Sequence, residues 1–143
     1  MAEITLRKAK TIIAKTLAKG GEMELKPLSV VVLDAGGHLK AFERQDGASI
    51  GRFEIARGKA YGALALGIGS RAINARAESQ AYFVDALSAA FEGKIVPVPG
   101  GMLVRDRKGA VIGAVGVTGD TSDDDETAGT AGIEAAGFTA DGG

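Results

Sequence analysis

The chain has one histidine, His38, and no cysteine. Imidazole chemistry therefore rests on a single residue, while thiolate catalysis, disulfides and Cys-ligated metal sites are excluded. His38 follows Gly36-Gly37 beside a turn, where the ring reads either as a solvated side chain or as a nitrogen ligand. Lys59 has Ile55, Ala56 and Ala63 as its neighbours one helical turn away. That spacing predicts a stem laid on apolar surface, with the ammonium sent to the rim or aimed at a ligand. Gly100-Gly101 offer backbone amides able to hold a carboxylate or an oxyanion. Thr118 and Asp120 set polar groups at the end of an apolar run, where binding residues gather.

Other patterns carry less. No G-x-S-x-G elbow accompanies His38, so a Ser-His-Asp hydrolase has no support. Gly67-Ile68-Gly69-Ser70-Arg71-Ala72 matches G-x-G-x-x-A in letters only. A helical pattern precedes those glycines where the dinucleotide fingerprint needs a strand. Asp123-Asp124-Asp125-Glu126 lacks the alternation and glycine of a calcium loop, and the helix dipole with solvation accounts for four acids in a first turn. A net charge of −1, few aromatics and no tryptophan leave neither a basic footprint nor stacking surface for nucleic acid. No apolar run approaches the ~20 residues of a membrane helix. The start, MAEITLRKAK, has charges where a signal peptide needs its apolar core, so a cytoplasmic protein is expected.

The elements that must position these residues centre on the stretch from Pro97 to Glu126. Met102 to Val104 and Ala110 to Val117 suit a pleated, buried surface, and Asp106-Arg107-Lys108-Gly109 suits the turn between them. Gly113, Gly116 and Gly119 lie in or just after the second strand. Glycine adds no packing to a strand, so a helix, a neighbouring subunit or a ligand is expected to approach the backbone there.

The remaining chain reads as cover for this hairpin. Thr5 to Lys19 has helical periodicity, with Thr5 as cap and Gly20-Gly21 as stop. Leu28 to Leu33 and His38 to Arg44 form a second hairpin around Asp34-Ala35-Gly36-Gly37. Ser49 to Leu66 is a helix whose stripe of Phe53, Ala56, Ala60, Ala63, Leu64 and Gly67 is mostly small. Short helices follow from Ser70 to Ala77 and from Gln80 to Phe91, and then an extended segment from Lys94 to Pro99. Ser122 is the expected cap of a helix from Asp123 to Ala136, and Thr139 to Gly143 reads as a frayed tail. With 143 residues and no linker or repeat, one domain spanning 1–143 is expected. Hairpins with apolar helix faces make an α+β fold with an antiparallel sheet.

An ordered set of segments adds a resemblance over nearly the whole chain. It comprises Val31-Val32-Leu33-Asp34-Ala35-Gly36-Gly37-His38-Leu39, Asp46-Gly47-Ala48, Ile55-Ala56-Arg57-Gly58-Lys59-Ala60, Pro99-Gly100-Gly101-Met102 and Gly113-Ala114-Val115-Gly116-Val117-Thr118-Gly119. These segments resemble the GlcG/HbpS family of haem-binding-like proteins, which includes the C-terminal domain of PduO-type proteins. The resemblance implies a profilin-like α/β/α layering around a five-stranded antiparallel sheet, and homo-oligomers. His38 matches the family's GGH position, and Lys59, Gly100, Gly101, Thr118 and Asp120 fall on its other motif positions.

Three functions remain open at this point. One is an accessory protein that binds a small ligand, with haem held non-covalently by His38 as the metal ligand and with Lys59 or Arg44 for the propionates. Another is an enzyme acting on a small oxo- or hydroxy-acid, with Gly100-Gly101 holding an oxyanion, Lys59 supplying charge, and Asp120 or His38 moving a proton. The last is an oligomeric structural protein whose glycine strand serves subunit packing.

Overall fold

A computed structural model describes residues 3–143. Met1 and Ala2, which open the stretch read above for a signal peptide, lie outside the described residues. Among those described, the order is α1 (Leu6–Glu22), β1 (Ser29–Asp34), β2 (Leu39–Arg44), α2 (Arg52–Leu66), α3 (Ser70–Ser79), α4 (Ala81–Ala90), β3 (Gly101–Arg105), β4 (Val111–Thr118), α5 (Ser122–Ala135) and β5 (Thr139–Asp141). The five strands form one antiparallel sheet in the order β2-β1-β4-β3-β5. The α+β class is as expected, and β4 of the central hairpin is the middle strand.

Alternation along the strands divides the core. Val30, Val32, Val115 and Val117 turn to one face, where they meet Ile12, Ile13 and Ile133 of α1 and α5. Val31, Leu33 and Ala114 turn to the other face, against Ala56 and Ala60 of α2. A smaller cluster of Ile73, Leu87 and Ile95 joins α3, α4 and the segment after α4.

Two sequence expectations change at the C-terminal end. Residues expected to fray instead make β5, with Leu103 opposite Asp141, Val104 opposite Ala140 and Arg105 opposite Thr139. The Arg105 Nε donates to Asp141 Oδ2 at 3.0 Å. The physical reason is the free edge of β3, whose backbone groups need partners once β4 occupies its other side. The α5 cap is Thr121, whose Oγ1 accepts from the Asp124 N–H at 3.2 Å, and Ser122 is already helical.

Two glycines of the central strands are crowded by a helix. Gly101 and Gly116 are direct cross-strand partners on β3 and β4. A Cβ on Gly116 would overlap the Ala56 carbonyl, and one on Gly101 would overlap the Lys59 carbonyl. The α2 backbone therefore rests on bare strand backbone. Its outer side is equally close to the chain: the Val96 N–H donates to the Gly58 carbonyl at 3.2 Å, and Gly62 faces Ile95. Covered on both sides, α2 carries Ala56, Ala60, Ala63, Gly58 and Gly62 where it meets its neighbours.

Substituting either strand glycine tests this seating. Gly116→Ala and Gly101→Ala are each expected to lose about 1–3 kcal/mol or more in urea unfolding, because backbone must move to admit the methyl group. Gly21→Ala in α1, with nothing within 4 Å of its added carbon, is expected to be neutral or to gain up to about 1 kcal/mol.

Candidate functional site

Low seating of α2 sends Lys59 into the interior, where it is 2 % exposed. The side chain passes Gly100, whose φ of +114° only glycine adopts easily and whose added Cβ would lie 2.9 Å from Lys59 Nζ. Lys59 Nζ donates to the Val117 carbonyl at 2.9 Å and to Asp125 Oδ2 at 3.1 Å. The sequence expectation of a rim or ligand-facing ammonium is therefore replaced by a buried ion pair.

Asp125 is 1 % exposed, unlike the solvated acid expected within the Asp123–Glu126 run. Its other oxygen, Oδ1, accepts from the Asp120 N–H at 3.0 Å. Burial pushes the Asp125 carboxyl above its ordinary pKa, with Lys59 opposing. Burial likewise pushes the Lys59 ammonium below its ordinary value against the pull of Asp125, and the nearby Arg52 charge lowers it further. Asp120 itself accepts from the N–H groups of Lys26 and Thr121, both at 2.8 Å, and these hold its pKa below the usual carboxylate value.

Thr118 is buried at the end of β4 and accepts from Arg52 Nη1 at 2.8 Å. Lys59, Gly100, Gly101, Thr118 and Asp120 are thus gathered at one end of the sheet. The Gly101 amide is already committed to Ser70 Oγ at 2.7 Å, so it does not face a free oxyanion position.

His38 is elsewhere. β1 and β4 run antiparallel with Ser29 opposite Thr118 and Asp34 opposite Gly113, so the β1–β2 turn lies at the far end of the sheet. Five residues of strand separate the two ends by roughly 17 Å. Asp34 Oδ1 ties this turn by accepting from the N–H groups of Gly36 and His38 at 2.9 and 3.0 Å. The His38 side chain is exposed. Gly37 packs against the ring of Tyr61 on α2, and Lys94 Nζ stands 5.6 Å from that ring's centroid. Arg44 closes β2 at the opposite end, opposite Ser29, and is exposed.

Sequence reasoning passed over Asp125, Arg52 and Ser29. Asp125 was hidden in a run of four acids. Arg52 had a signal in principle, because a cation in the first turn of a helix opposes the dipole. Ser29 is an isolated hydroxyl in an apolar run, and only the register gives it neighbours. Among the described residues no group of three metal-ligating side chains converges, and no helix is long and apolar enough to cross a membrane.

An antiparallel sheet between a helix pair and a glycine-seated helix, with a Gly-Gly-His turn at one end and a buried lysine at the other, defines the class. The chain belongs to the HbpS-like family: the family described as haem degrading protein HbpS-like matches residues 4–134. It is 34 % identical over 125 residues to an uncharacterized 15.0 kDa protein from the dhaT-dhaS intergenic region of Citrobacter freundii, covering 87 % of this chain and 86 % of that one. In structure it is similar to a PduOC:heme complex, with a TM-score of 0.85, 21 % identity and coverage of 96 % and 97 % of the two chains. The Klebsiella pneumoniae protein ORFY gives a TM-score of 0.85 at 26 % identity, covering 95 % of this chain and 92 % of that one.

The buried pair makes two linked predictions. Lys59→Ala leaves an unpaired carboxylate in the interior and is expected to lose roughly 3–5 kcal/mol in urea unfolding, whereas Lys59→Met combined with Asp125→Leu recovers most of that loss. The two groups give stability opposite slopes against pH. Asp125 has a folded-state pKa above its unfolded one, so the folded chain holds more protons between those values and stability falls as pH rises through them. Lys59 has a folded-state pKa below its unfolded one, so the folded chain holds fewer protons there and stability rises with pH. Subtracting the double variant's stability from that of the natural chain across pH should show both slopes; a flat difference contradicts the argument.

Proposed function

We propose that the protein binds a small ligand non-covalently, with haem as the first candidate, and that it works as an accessory protein in a homo-oligomer. The observation that carries this reading is the imidazole of His38, which stands in solvent at a turn fixed by Asp34. The family's description as haem degrading and the heme complex of a protein with the same fold support the choice of ligand.

The residues around the turn suit the group. An exposed imidazole offers a ring nitrogen to iron, Tyr61 and Phe91 meet edge to face at 6.2 Å and offer apolar surface, and Lys94 offers a cation for a propionate. Lys94 already has a loose partner in exposed Glu92 at 3.6 Å, which a propionate would displace. Haem bound there would supply the redox and oxygen chemistry of its iron, while this chain would hold and orient it. Arg44 and Lys59 do not serve the propionates in this reading, because both lie at the other end of the sheet. The surface is open on one protomer, and a second copy placed over it would exclude water. An enzyme acting on a small acid receives less support, since the Gly101 amide and the Lys59 ammonium are both partnered inside the fold.

Haem titration of the full chain tests the proposal. The natural protein is expected to give a saturable Soret shift, and His38→Ala to weaken it at least ~10-fold or change the band position. An identical spectrum and affinity in the variant would remove His38 as ligand, and no saturable shift in either protein would remove haem.

A further inference from the structure

The two short helices and the end of α2 enclose a hollow that neither end of the sheet uses. Gln80 closes α3 and opens α4 with φ −141° and ψ +64°, and this bend lets α4 pack on α3. Gly67, at φ +72°, ends α2, and Ile68 follows it outside the helix. Between these elements lies a pocket of about 180 Å³. Its apolar wall is Leu66 and Ile68, Ile73 of α3, and Phe83, Val84 and Leu87 of α4. Ile73, Val84 and Leu87 are buried, while Ile68 is 39 % exposed, so the wall is covered from behind and open at its rim.

Arg76 is the one charged residue that lines this pocket. Its guanidinium carbon lies 4.3 Å from the centroid of the Phe83 ring, and its Nε donates to Gln80 Oε1. Gln80 is held in turn, since its Nε2 donates to the Tyr82 hydroxyl at 3.1 Å. Stacking on the ring and the bond to Gln80 together fix the plane of the guanidinium.

That cation lacks an anion. Among the described residues, ion pairs are made by Lys19, Lys59, Arg71, Lys94 and Arg105, and none by Arg76. The acids nearest in sequence are Glu78 and Asp85, both exposed. Each stands two residues from a wall residue, Arg76 or Phe83, and that spacing turns it to another side of its helix. An apolar hollow with one fixed polar group is the common form of a small-molecule site.

We propose that this pocket binds a small monocarboxylate with an apolar body, its carboxylate on the Arg76 guanidinium and its body among Leu66, Ile73, Val84 and Leu87. The planar fork of arginine suits the two oxygens of a carboxylate. A cavity of ~150 Å³ lined by Leu, Ile and Phe accepts benzene, so a body of roughly six or seven carbons fits here. The proposal does not rest on haem, because the pocket is far too small for a porphyrin.

The test titrates benzoate, its neutral analogue benzyl alcohol, and acetate separately into the full chain at constant ionic strength. Binding is read from the methyl resonances of Ile68, Ile73, Val84 and Leu87. Benzoate is expected to shift them saturably, benzyl alcohol to bind about tenfold more weakly, and acetate to leave them in place. Arg76→Gln should weaken benzoate by about tenfold and leave benzyl alcohol unchanged, with the far-UV spectrum unaltered. Arg76→Lys keeps the charge but loses the fork, and gives the same comparison if the glutamine variant does not fold. Absence of saturation by benzoate overturns the proposal, as does equal affinity for benzoate in the natural chain and the Arg76 variants. Methyl shifts that follow protein concentration rather than benzoate also overturn it, and assign the pocket to a contact between copies of the chain.

Discussion

Lys59 ties α2 on one side of the sheet to α5 on the other. It starts on α2, passes the bare backbone of Gly100 and ends on Asp125 in the first turn of α5. Its reach depends on the height of α2 above the strands, and Gly101 and Gly116 set that height. A larger residue at either position would lift the helix and draw the ammonium away from Val117 and Asp125. Burying both charges is expensive, and the hydrogen bonds to the Val117 carbonyl and from the Asp120 amide offset part of that penalty. The pair thus acts more as a register pin for α2 and α5 than as a source of stability.

This pin changes what the glycine strand means. Backbone shaved of side chains was expected to admit a helix, a subunit or a ligand; α2 fills the space at Gly116, while Gly113 faces Leu33 and Ile4, and Gly119 faces Pro27 and Leu28. Chemistry is thereby displaced from the middle of the sheet to its ends. At one end the β1–β2 turn presents an imidazole to solvent. At the other, the ends of β1 and β4 meet the start of α2, and polar groups accumulate because strand termini and a helix N-terminus leave backbone and charge unsatisfied there. The sheet keeps these ends roughly 17 Å apart, too far for His38 and Lys59 to act on one small molecule.

Much of the architecture was legible because hydrophobic period and turn chemistry agree along the chain. Both hairpins, α1 with its Thr5 cap and the small-residue stripe of α2 lie where their patterns place them. β5 was not legible: three residues between Phe138 and Gly142 carry no periodicity, and they become a strand only because β3 has an open edge. The second small face of α2, Gly58 and Gly62, had a visible spacing of four, but its meaning needed the Lys94–Pro99 segment to be seen lying across it. For the candidate site, Lys59, Gly100, Thr118 and Asp120 were marked by type and place. Their partners were not, since Asp125 and Ser29 meet them only through pairing distant in sequence.

The acidic run shows how one composition can hold several roles. Asp123 and Glu126 turn outward to Arg71 of α3, at 2.6 and 2.9 Å. Asp125 turns inward to Lys59, and the Asp124 amide is capped by Thr121. All four favour the positive end of α5, which is the part a sequence can show. The division among them follows from the helical turn of about 100° per residue, which points neighbouring acids in different directions. Exposed pairs such as those of Arg71 contribute little energy, but they fix the first turn of α5 from outside. Held on that side by α3 and on the other by Lys59, the turn has little freedom to rotate, and Asp125 stays in place to receive a charge that water would otherwise solvate.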